Sequence, residues 1–366
     1  MKPLLLDKIA SVTLHARLGR EVRITANLTS QPGDIVAVVV RSSRTSYDQL
    51  ELCTGRFSRL KPGDVIAGAL GHRKALRGFA GEVPESLAPG DEVHLLNLGG
   101  VLGLCTADHP DLGRPFRCEV LGQVLAFPYL GERVGVPANI GVGVDPPALG
   151  LDVGGVPVIA VAGTCMSAGK TQATTALIQE CARRGLRVHA GKATGVSLRR
   201  DIWAMEDAGA TRTGIFTDLG VVTTTAADAP AVARTLLTRL AAGAPDLIVL
   251  ELGDGLMGAY GVDAILADEG LRGVFRGLIL AANDPVGAFG GSHILRRVHG
   301  IEPTVVTGPA TDNATGADAV ERDVGVPAVN ARTDPEELAR LVLGAVAQGS
   351  PTGWTKKPGA VGHHEA

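Results

Sequence analysis

The sequence predicts an α/β fold in which a mostly parallel sheet with helices on both faces is preceded by a small β-barrel or β-sandwich domain. Up to residue 125, short β-like runs are separated by turn signals, whereas from Val156 onward apolar strands alternate with helical segments. Composition agrees, because 45% of the 366 residues are hydrophobic, only 3% are aromatic, and 49 are glycine. Small aliphatic side chains and glycines favour helices and sheets that pack closely.

The β-rich N-terminal domain is predicted over residues 1–135. Its β-like runs occupy residues 22–26, 35–40, 65–70, 93–97 and 118–125. Pro-Gly-Asp recurs at Pro32, Pro62 and Pro89, where Pro and Gly suit successive positions of a tight turn before the next strand. These repeated turns indicate an architectural device. The Gly- and Pro-rich stretch at 136–155 is the predicted linker.

The second domain is predicted over residues 156–348, with a flexible tail at 349–366. Near-continuous apolar strands are expected at 156–162, 187–190, 246–251, 278–282, 304–307 and 327–330. Helical segments are expected at 172–184, 201–209, 229–242 and 335–348. Strands that are apolar along their whole length and separated by helices indicate a parallel sheet covered on both faces.

Charge and cysteine content restrict the expected partners and location. A formal net charge of −3 gives no general attraction to nucleic acid or anionic lipid, so neither is an expected partner. The five cysteines are odd in number and include no Cys-x-x-Cys pair, which indicates reduced thiols and no zinc site. The N-terminal apolar run is too short for a secretory signal, and no stretch is long and apolar enough to span a membrane. A cytoplasmic protein is therefore expected. The sequence does not decide between a monomer and a homo-oligomer.

Residues 163–171 read Gly-Thr-Cys-Met-Ser-Ala-Gly-Lys-Thr between an apolar strand and a helix-like stretch, which is typical of a phosphate-binding loop. Glycines let backbone N–H groups turn toward phosphate oxygens, and the helix N-terminus adds its positive dipole end. Lys170 can reach the β- and γ-phosphates, and the Thr171 hydroxyl can bind Mg²⁺. A nucleoside triphosphate is therefore the expected ligand. The predicted nucleotide-binding residues here are Gly163, Thr164, Ser167, Ala168, Gly169, Lys170, Thr171 and Gln172.

Further polar side chains follow the predicted strands, where ligands of parallel sheets collect. Glu251 can bind Mg²⁺ or position an attacking group, and Asp254 is a candidate for the same role. A helix-capping turn is the alternative interpretation of this segment. Lys192 can neutralise charge on a transferring phosphoryl group, and Asp201 is a candidate second Mg²⁺ ligand. Asn283 or Asp284 can read the base edge of the nucleotide through hydrogen bonds, although Asn-Asp-Pro is also ordinary turn chemistry. Catalysis is thus assigned to Lys170, Lys192 and Glu251, and metal binding to Thr171, Asp201 and Glu251.

The loop at 163–171 resembles that of the dethiobiotin synthetase and cobyrinic acid diamide synthetase group of P-loop proteins. Members share its Gly-Thr start, the five residues between its glycines and a Gly-Lys-Thr or Gly-Lys-Ser end. The segment 192–195 is similar to their Lys-containing segment after the second strand, and 251–256 to their Glu-Gly-x-Gly-Gly strand end. This resemblance implies a ligase-like enzyme that uses ATP and Mg²⁺ to phosphorylate a small carboxylate substrate, with Glu251 as the Walker-B-like acid.

A second resemblance is to the D-glutamate N-acetyltransferase family, which has a related P-loop domain behind a separate N-terminal domain. The Gly-Thr loop, Thr194-Gly195 and the segment 251–256 carry this resemblance. It implies that the loop holds the phosphates of coenzyme A and that the protein transfers an acyl group without hydrolysing ATP. The ATP-dependent ligase is the leading hypothesis and the N-acyltransferase is the alternative. A nucleotide-switched chaperone or GTPase, with the β-domain as its partner-binding module, is a third.

Overall fold

The computed structural model describes residues 1–76, 78–129, 131 and 134–348, so the predicted flexible tail at 349–366 lies outside the described residues. The chain forms two compact units. The first comprises Met1–Pro147 together with Gly195–Trp203 and Ile215–Thr225, and the second comprises Ala148–Thr194, Ala204–Gly214 and the chain from Ala226 onward. The predicted α/β fold class is confirmed. No sequence signal indicates that two short segments from the middle of the chain belong to the first unit.

The first unit is built on a closed β-barrel. Its strands are β1 (Lys2–Leu5), β2 (Lys8–Ile9), β3 (Glu21–Thr25), β4 (Ile35–Val40), β5 (Gln49–Glu51), β6 (Phe57–Arg59), β7 (Val65–Leu70), β8 (Arg73–Lys74), β9 (Ala80–Glu82), β10 (Glu92–Leu95), β11 (Val101–Ala107), β12 (Phe116–Ala126) and β13 (Val136–Pro137). Strands β12, β4, β7, β11 and β10 each pair with the next, and β10 pairs back to β12. Because the pairing returns to its starting strand, the architecture is the barrel and not the sandwich. Short 3₁₀ helices lie at Ser11–Ala16 and Phe216–Leu219.

The three Pro-Gly-Asp turns share one geometry. The carboxylates of Asp34, Asp64 and Asp91 each accept a hydrogen bond, at 2.7 to 2.8 Å, from the backbone N–H three residues earlier. The turn glycines have φ values between +88° and +96°, the left-handed conformation that glycine adopts without strain. The turns lead into β4, β7 and β10, three of the five barrel strands.

The segment predicted as a linker, 136–155, is partly built into the first unit. Strand β13 pairs with Leu125 and Ala126 of β12, and the following Ala138 and Ile140 are buried. The boundary between the units falls after Pro147. Pro and Gly mark turns inside a domain as readily as linkers between domains, so composition places the linker too early.

The second unit contains the parallel sheet. Its strands are β14 (Val158–Gly163), β15 (Val188–Lys192), β16 (Arg212–Ile215), β17 (Leu247–Glu251), β18 (Phe275–Ala281) and β19 (Val305–Thr307). The strand order is β16-β15-β17-β14-β18-β19, and the pairs from β15 to β19 are parallel. The strand predicted at 327–330 is reduced to one bridge between Ala328 and Val306. The short polar strand β16 lacks the apolar run by which the other strands are predicted.

Eight α-helices accompany the strands in the described ranges. They are α1 (Lys170–Arg183), α2 (Arg200–Asp207), α3 (Ala229–Ala241), α4 (Val262–Ala267), α5 (Glu269–Val274), α6 (Pro285–Ile294), α7 (Ala314–Val324) and α8 (Pro335–Ala347). A π-helix at Leu295–His299 follows α6, and a 3₁₀ helix at Pro309–Thr311 precedes α7. Helices α4 to α7 are not predicted from the sequence, although α5, α6 and α7 each begin after an Asp or Asn whose side chain accepts a backbone N–H. None of the helices described is long and apolar enough to cross a bilayer.

Candidate functional site

The loop between β14 and α1 has the backbone form of an anion-binding site. Ser167 and Gly169 have φ values of +62° and +98°, while the intervening Ala168 is fully buried. Alternation between right- and left-handed residues turns neighbouring N–H groups to one side and forms a concavity that suits an anion. Helix α1 begins at Lys170, directly after Gly169, and adds the positive end of its dipole.

Lys170 is the cation of this loop. Its side chain is only 7% exposed, and Nζ donates a hydrogen bond to the carbonyl oxygen of Cys165 at 2.8 Å. Burial lowers the pKa of Lys170; the charge of Lys192 lowers it further, and the carboxylates of Glu251 and Asp254 oppose this shift. A phosphate that replaced the carbonyl would gain a stronger, charge-assisted hydrogen bond from the same ammonium group.

Thr171 and Glu251 form an oxygen-donor pair beside the loop. Glu251 ends β17 and lies opposite Val161 of β14 and Lys192 of β15, so the parallel register brings all three strand ends together. Thr171 Oγ1 donates to Glu251 Oε1 at 3.3 Å, and Lys192 Nζ lies 3.6 Å from the same oxygen. Glu251 is 2% exposed, and the two lysines supply the positive charge that a carboxylate at this depth requires.

Asp254 is a second buried carboxylate, three residues beyond the end of β17. It is 7% exposed, and its backbone φ of +78° is uncommon for a residue with a side chain. Neither carboxylate oxygen makes a well-formed hydrogen bond within the described part of the chain. Burial raises the pKa of Asp254 to about 6, although Lys170, the backbone N–H groups of Gly255 and Ala259, and Lys192 all lower it. A strained backbone and a perturbed carboxylate together are typical of functional sites.

The turn after β17 packs directly against the phosphate loop at Gly255. A Cβ atom there would lie 2.6 Å from the carbonyl oxygen of Thr164 and 2.8 Å from Cα of Cys165. The next residue, Leu256, donates its backbone N–H to the carbonyl oxygen of Gly163 at 3.0 Å. Only a glycine allows this close approach, which fixes the distance between the carboxylates and the loop.

Gly255→Ala is therefore expected to lower the free energy of unfolding by about 1–3 kcal/mol, because the new methyl group must push backbone atoms apart. Denaturant unfolding measures the change. Gly273→Ala is the matched control. Apart from its chain neighbours and the backbone of its own helix, no atom of the described residues lies within 4 Å of the added Cβ, and alanine is the better helix former in α5. Equal effects of the two substitutions would contradict the proposed packing.

A cavity of about 420 Å³ lies next to the loop, on the side of α1 and β19. Its lining includes Gly169, Gln172, Gly308, Asp312, Asn330 and Arg332. Gly308 is a second position that requires glycine, because a Cβ atom there would lie 2.2 Å from the carbonyl oxygen of Ala168. The volume is within the range of about 300–1,000 Å³ that small-molecule sites occupy. The sequence predictions miss Asp312 and Asn330. Asp312 follows β19, and Asn330 ends the segment predicted as a strand at 327–330, so a position at the carboxyl end of a strand is the signal that could have indicated both.

The predicted site residues fall into two groups. Lys170, Thr171, Lys192 and Glu251 come together in the second unit, and Gln172 lines the adjacent cavity. Asn283 Nδ2 donates to Cys165 Sγ of the loop at 2.8 Å, and its contact with a base stays a prediction. Asp201 belongs to the first unit, where its carboxylate lies 3.7 Å from the guanidinium of Arg200, and its role as a metal ligand also stays a prediction.

No group of three or more His, Cys, Asp or Glu side chains within the described ranges is arranged to hold a metal ion. Thr171 and Glu251 nevertheless suit Mg²⁺, because this ion prefers hard oxygen donors. It commonly takes one or two protein oxygens and completes its coordination with water and substrate phosphates. The donor pair therefore fits a metal that arrives with a nucleotide.

Comparison with known proteins gives no match to a protein-family model and no curated relative. Solved structures with a similar backbone include the signal recognition particle receptor FtsY from Elizabethkingia anophelis (16% identity, TM-score 0.37, 51% of this chain and 65% of that chain). Others are the hydrogenase maturation factor HypB from Archaeoglobus fulgidus (15%, 0.34, 52% and 90%) and a DUF1611 family protein from Anabaena variabilis (15%, 0.38, 56% and 62%). The match thus spans less than two-thirds of the FtsY and DUF1611 chains. The order of strand, loop and helix and the position of Lys170 make the second unit a P-loop domain.

Proposed function

We propose that the second unit binds a nucleoside triphosphate together with Mg²⁺ and transfers the γ-phosphoryl group to water. This proposal rests on one observation: the side chains of Lys170, Thr171 and Glu251 lie together beside the phosphate loop. It combines a buried ammonium group for the phosphates with a hydroxyl and a carboxylate 3.3 Å apart for the metal. Mg²⁺, when bound, supplies charge neutralisation at the β- and γ-phosphates.

Asp254 is the candidate acceptor for the proton of the attacking water. Its carboxylate is buried near Lys170 and Lys192, and neither of its oxygens makes a well-formed hydrogen bond within the described part of the chain. In the proposed step, the water oxygen forms a bond to the γ-phosphorus, and the bond from phosphorus to the bridging oxygen breaks. The β-phosphate takes the electron pair of that bond, and the water proton passes to Asp254 and then to solvent.

Hydrolysis of this kind is what a nucleotide-switched protein requires, and the contacts of Lys170, Thr171 and Glu251 support it. An ATP-dependent ligase activity is a second candidate, and the position of Lys192 supports it. Lys192 has a side chain 12% exposed at the end of β15, and an ammonium group there can hold an anionic acceptor beside the phosphates. An N-acyltransferase would use the same loop for coenzyme A and would need neither Mg²⁺ nor the Thr171–Glu251 pair.

Phosphate release from Mg-ATP and Mg-GTP, with and without EDTA and a panel of small carboxylates, tests the proposal. Mg²⁺-dependent release without any carboxylate is the expected result. Thr171→Ala is expected to slow it by about 100-fold or more, as is usual when a group that acts in the transition state is lost. Thr175→Ala, one turn further along α1 with its hydroxyl bonded to the Thr171 carbonyl, is the matched control and is expected to retain activity.

Phosphate release that occurs only when a carboxylate is present would contradict hydrolysis and favour the ligase. Absence of Mg²⁺-dependent release, combined with stabilisation by acetyl-coenzyme A alone, would overturn both and select the acyltransferase.

A further inference from the structure

A second cavity, of about 620 Å³, is lined by residues of the first unit and has no part in the proposed nucleotide chemistry. Most of its lining comes from three stretches of chain, 15–23, 125–128 and 138–142. The first stretch contains the end of a 3₁₀ helix and the start of β3, and the second follows from β12. The volume is within the range of about 300–1,000 Å³ that small-molecule sites occupy.

Part of the lining of this cavity is apolar and open to water. Phe127, just after β12, is 43% exposed, and Val142 is 56% exposed. Leu18 and Leu125, both half-buried, extend the same lining. Apolar side chains on a concave surface gain free energy when a ligand removes them from water. The lining therefore favours a ligand that has an apolar body.

The charged side chains of the cavity are mainly basic. Arg17 and Arg23 lie on the lining with Glu21, so two positive charges and one negative charge give a formal net charge of +1 before His15 is counted. Arg17 has a backbone φ of +49°, which is uncommon for a residue with a side chain. Neither guanidinium forms an ion pair with another described residue. Their N–H groups are therefore free to bind an anion.

His15, on the same lining, is held by Asp218. His15 Nε2 and Asp218 Oδ1 are 2.7 Å apart, and the same carboxylate accepts hydrogen bonds from Arg199 and from the backbone N–H of Ile215. Burial acts to raise the pKa of Asp218, but the hydrogen bond from His15 and the charge of Arg199 bring it below its ordinary value. An ionised Asp218 requires Nε2 of His15 to be the donor. Nδ1, which bonds to no other described residue, is left for a ligand.

We propose that this cavity binds a small organic anion, and this inference does not depend on the proposed nucleotide function. The apolar body of the ligand packs against Phe127 and Val142. Its negative group accepts hydrogen bonds from Arg17 and Arg23, whose planar guanidinium groups match the oxygens of a carboxylate or a phosphate monoester. His15 adds a further donor when Nδ1 is protonated.

Fluorine NMR titration of the full chain with para-fluorobenzoate, para-fluorophenyl phosphate and the neutral para-fluorobenzamide tests the preference for an anion. At least one of the two anions is expected to bind about 10- to 100-fold more tightly than the amide, because hydrogen bonds to charged groups are stronger than those to neutral groups. The relative affinities of the two anions distinguish a carboxylate from a phosphate ligand. This comparison uses wild type, so it does not depend on the folding of a variant.

The double variant Arg17→Gln, Arg23→Gln is expected to bind the anions no more tightly than the amide, while its affinity for the amide is unchanged. Arg59→Gln is the matched control, because this arginine of β6 has a side chain 76% exposed and lies outside the lining of the cavity. Lys170→Ala is expected to retain anion binding, since the phosphate loop belongs to the second unit.

Three results would each overturn the proposal. The first is equal affinity of wild type for the anions and the amide, or no binding of any of the three probes. The second is anion binding that persists unchanged in the double variant. The third is anion binding that is lost in Lys170→Ala, which would locate the anion at the phosphate loop.

Discussion

Replacing Lys170 by alanine is expected to weaken the binding of a Mg-nucleoside triphosphate by about 100-fold or more, since hydrogen bonds to charged groups contribute about 1.5–3 kcal/mol each. The lysine is 7% exposed, already desolvated and directed back over the loop by its contact with the Cys165 carbonyl oxygen. Little further ordering is needed when phosphates replace that contact, so most of the charge-assisted energy appears as affinity. Titration calorimetry with a non-hydrolysable triphosphate measures the loss.

Arg183→Ala is the matched control for this experiment. Arg183 is also a cation on α1, but it ends the helix, is 62% exposed and pairs with Glu180. Its removal is expected to leave nucleotide affinity unchanged. Unchanged affinity in Lys170→Ala would contradict the assignment of the loop.

Replacing Asp254 by asparagine is expected to lower kcat for hydrolysis by about 10²–10⁴-fold, the usual contribution of a general base. Affinity for the nucleotide is expected to change by no more than about threefold, because the proton acceptor acts in the transition state. Asp318→Asn, which removes the charge of an exposed carboxylate on α7, is the control. A variant that keeps its kcat would exclude Asp254 as the proton acceptor.

The raised pKa of Asp254 gives this prediction a pH signature. The ionised carboxylate is the active form, so kcat/KM of wild type is expected to fall about tenfold per pH unit below a pKa of about 6. The free energy of unfolding depends on pH in the opposite direction to kcat/KM. The pKa is higher in the folded chain than the ordinary 3.8, so the folded state takes up the proton between about pH 4 and 6, and stability falls as pH rises through that window.

Asp254→Asn is accordingly expected to raise the free energy of unfolding by about 1–3 kcal/mol at pH 8, where the buried wild-type carboxylate is ionised. At pH 4, where that carboxylate is protonated, no gain is expected. Urea denaturation at the two pH values measures both. An inactive variant that is also unstable at pH 8 would mean that Asp254 supports the fold and that its loss of activity says nothing about proton transfer.

The phosphate loop is the part of the site that the sequence predicts most fully, because it depends on local order. A strand, a glycine-rich turn and a helix follow one another directly, and this order alone places Lys170 and Thr171. Glu251 is predictable for a different reason, since the carboxyl ends of parallel strands share one edge of the sheet. The pairing of Glu251 with both Thr171 and Lys192 depends on strand register, which the apolar pattern of a fully buried strand leaves open.

The cavity that contains Asp312 depends on contacts that no local pattern reveals. Its key hydrogen bond joins Asp312 to Asn330, eighteen residues apart, across a helix that the sequence does not predict. Asn330 falls in a predicted strand, but only Ala328 of that segment pairs with a strand. Its side chain is consequently directed to the loop after β19 instead of being part of the sheet.

Closure of the barrel likewise cannot be predicted from the pattern of apolar residues. The apolar runs that become β4, β7, β10 and β12 are similar in character and could pair in several orders, and β11 is not among the predicted runs. Strand β10 decides the outcome, because it pairs with both β11 and β12. The segments Gly195–Trp203 and Ile215–Thr225 join the first unit through equally distant contacts, such as the hydrogen bonds from the backbone N–H groups of Arg199 and Arg200 to the buried carboxylate of Glu51.

Titration calorimetry of the full chain with non-hydrolysable analogues of ATP and GTP, in Mg²⁺ and in EDTA, distinguishes a Mg-nucleotide site from a coenzyme A site. We expect tight binding of at least one analogue in Mg²⁺, weaker binding in EDTA, and loss of binding in Lys170→Ala but not in Arg183→Ala. Binding that is indifferent to both EDTA and Lys170→Ala, or binding of acetyl-coenzyme A with no binding of any Mg-triphosphate, would contradict this expectation.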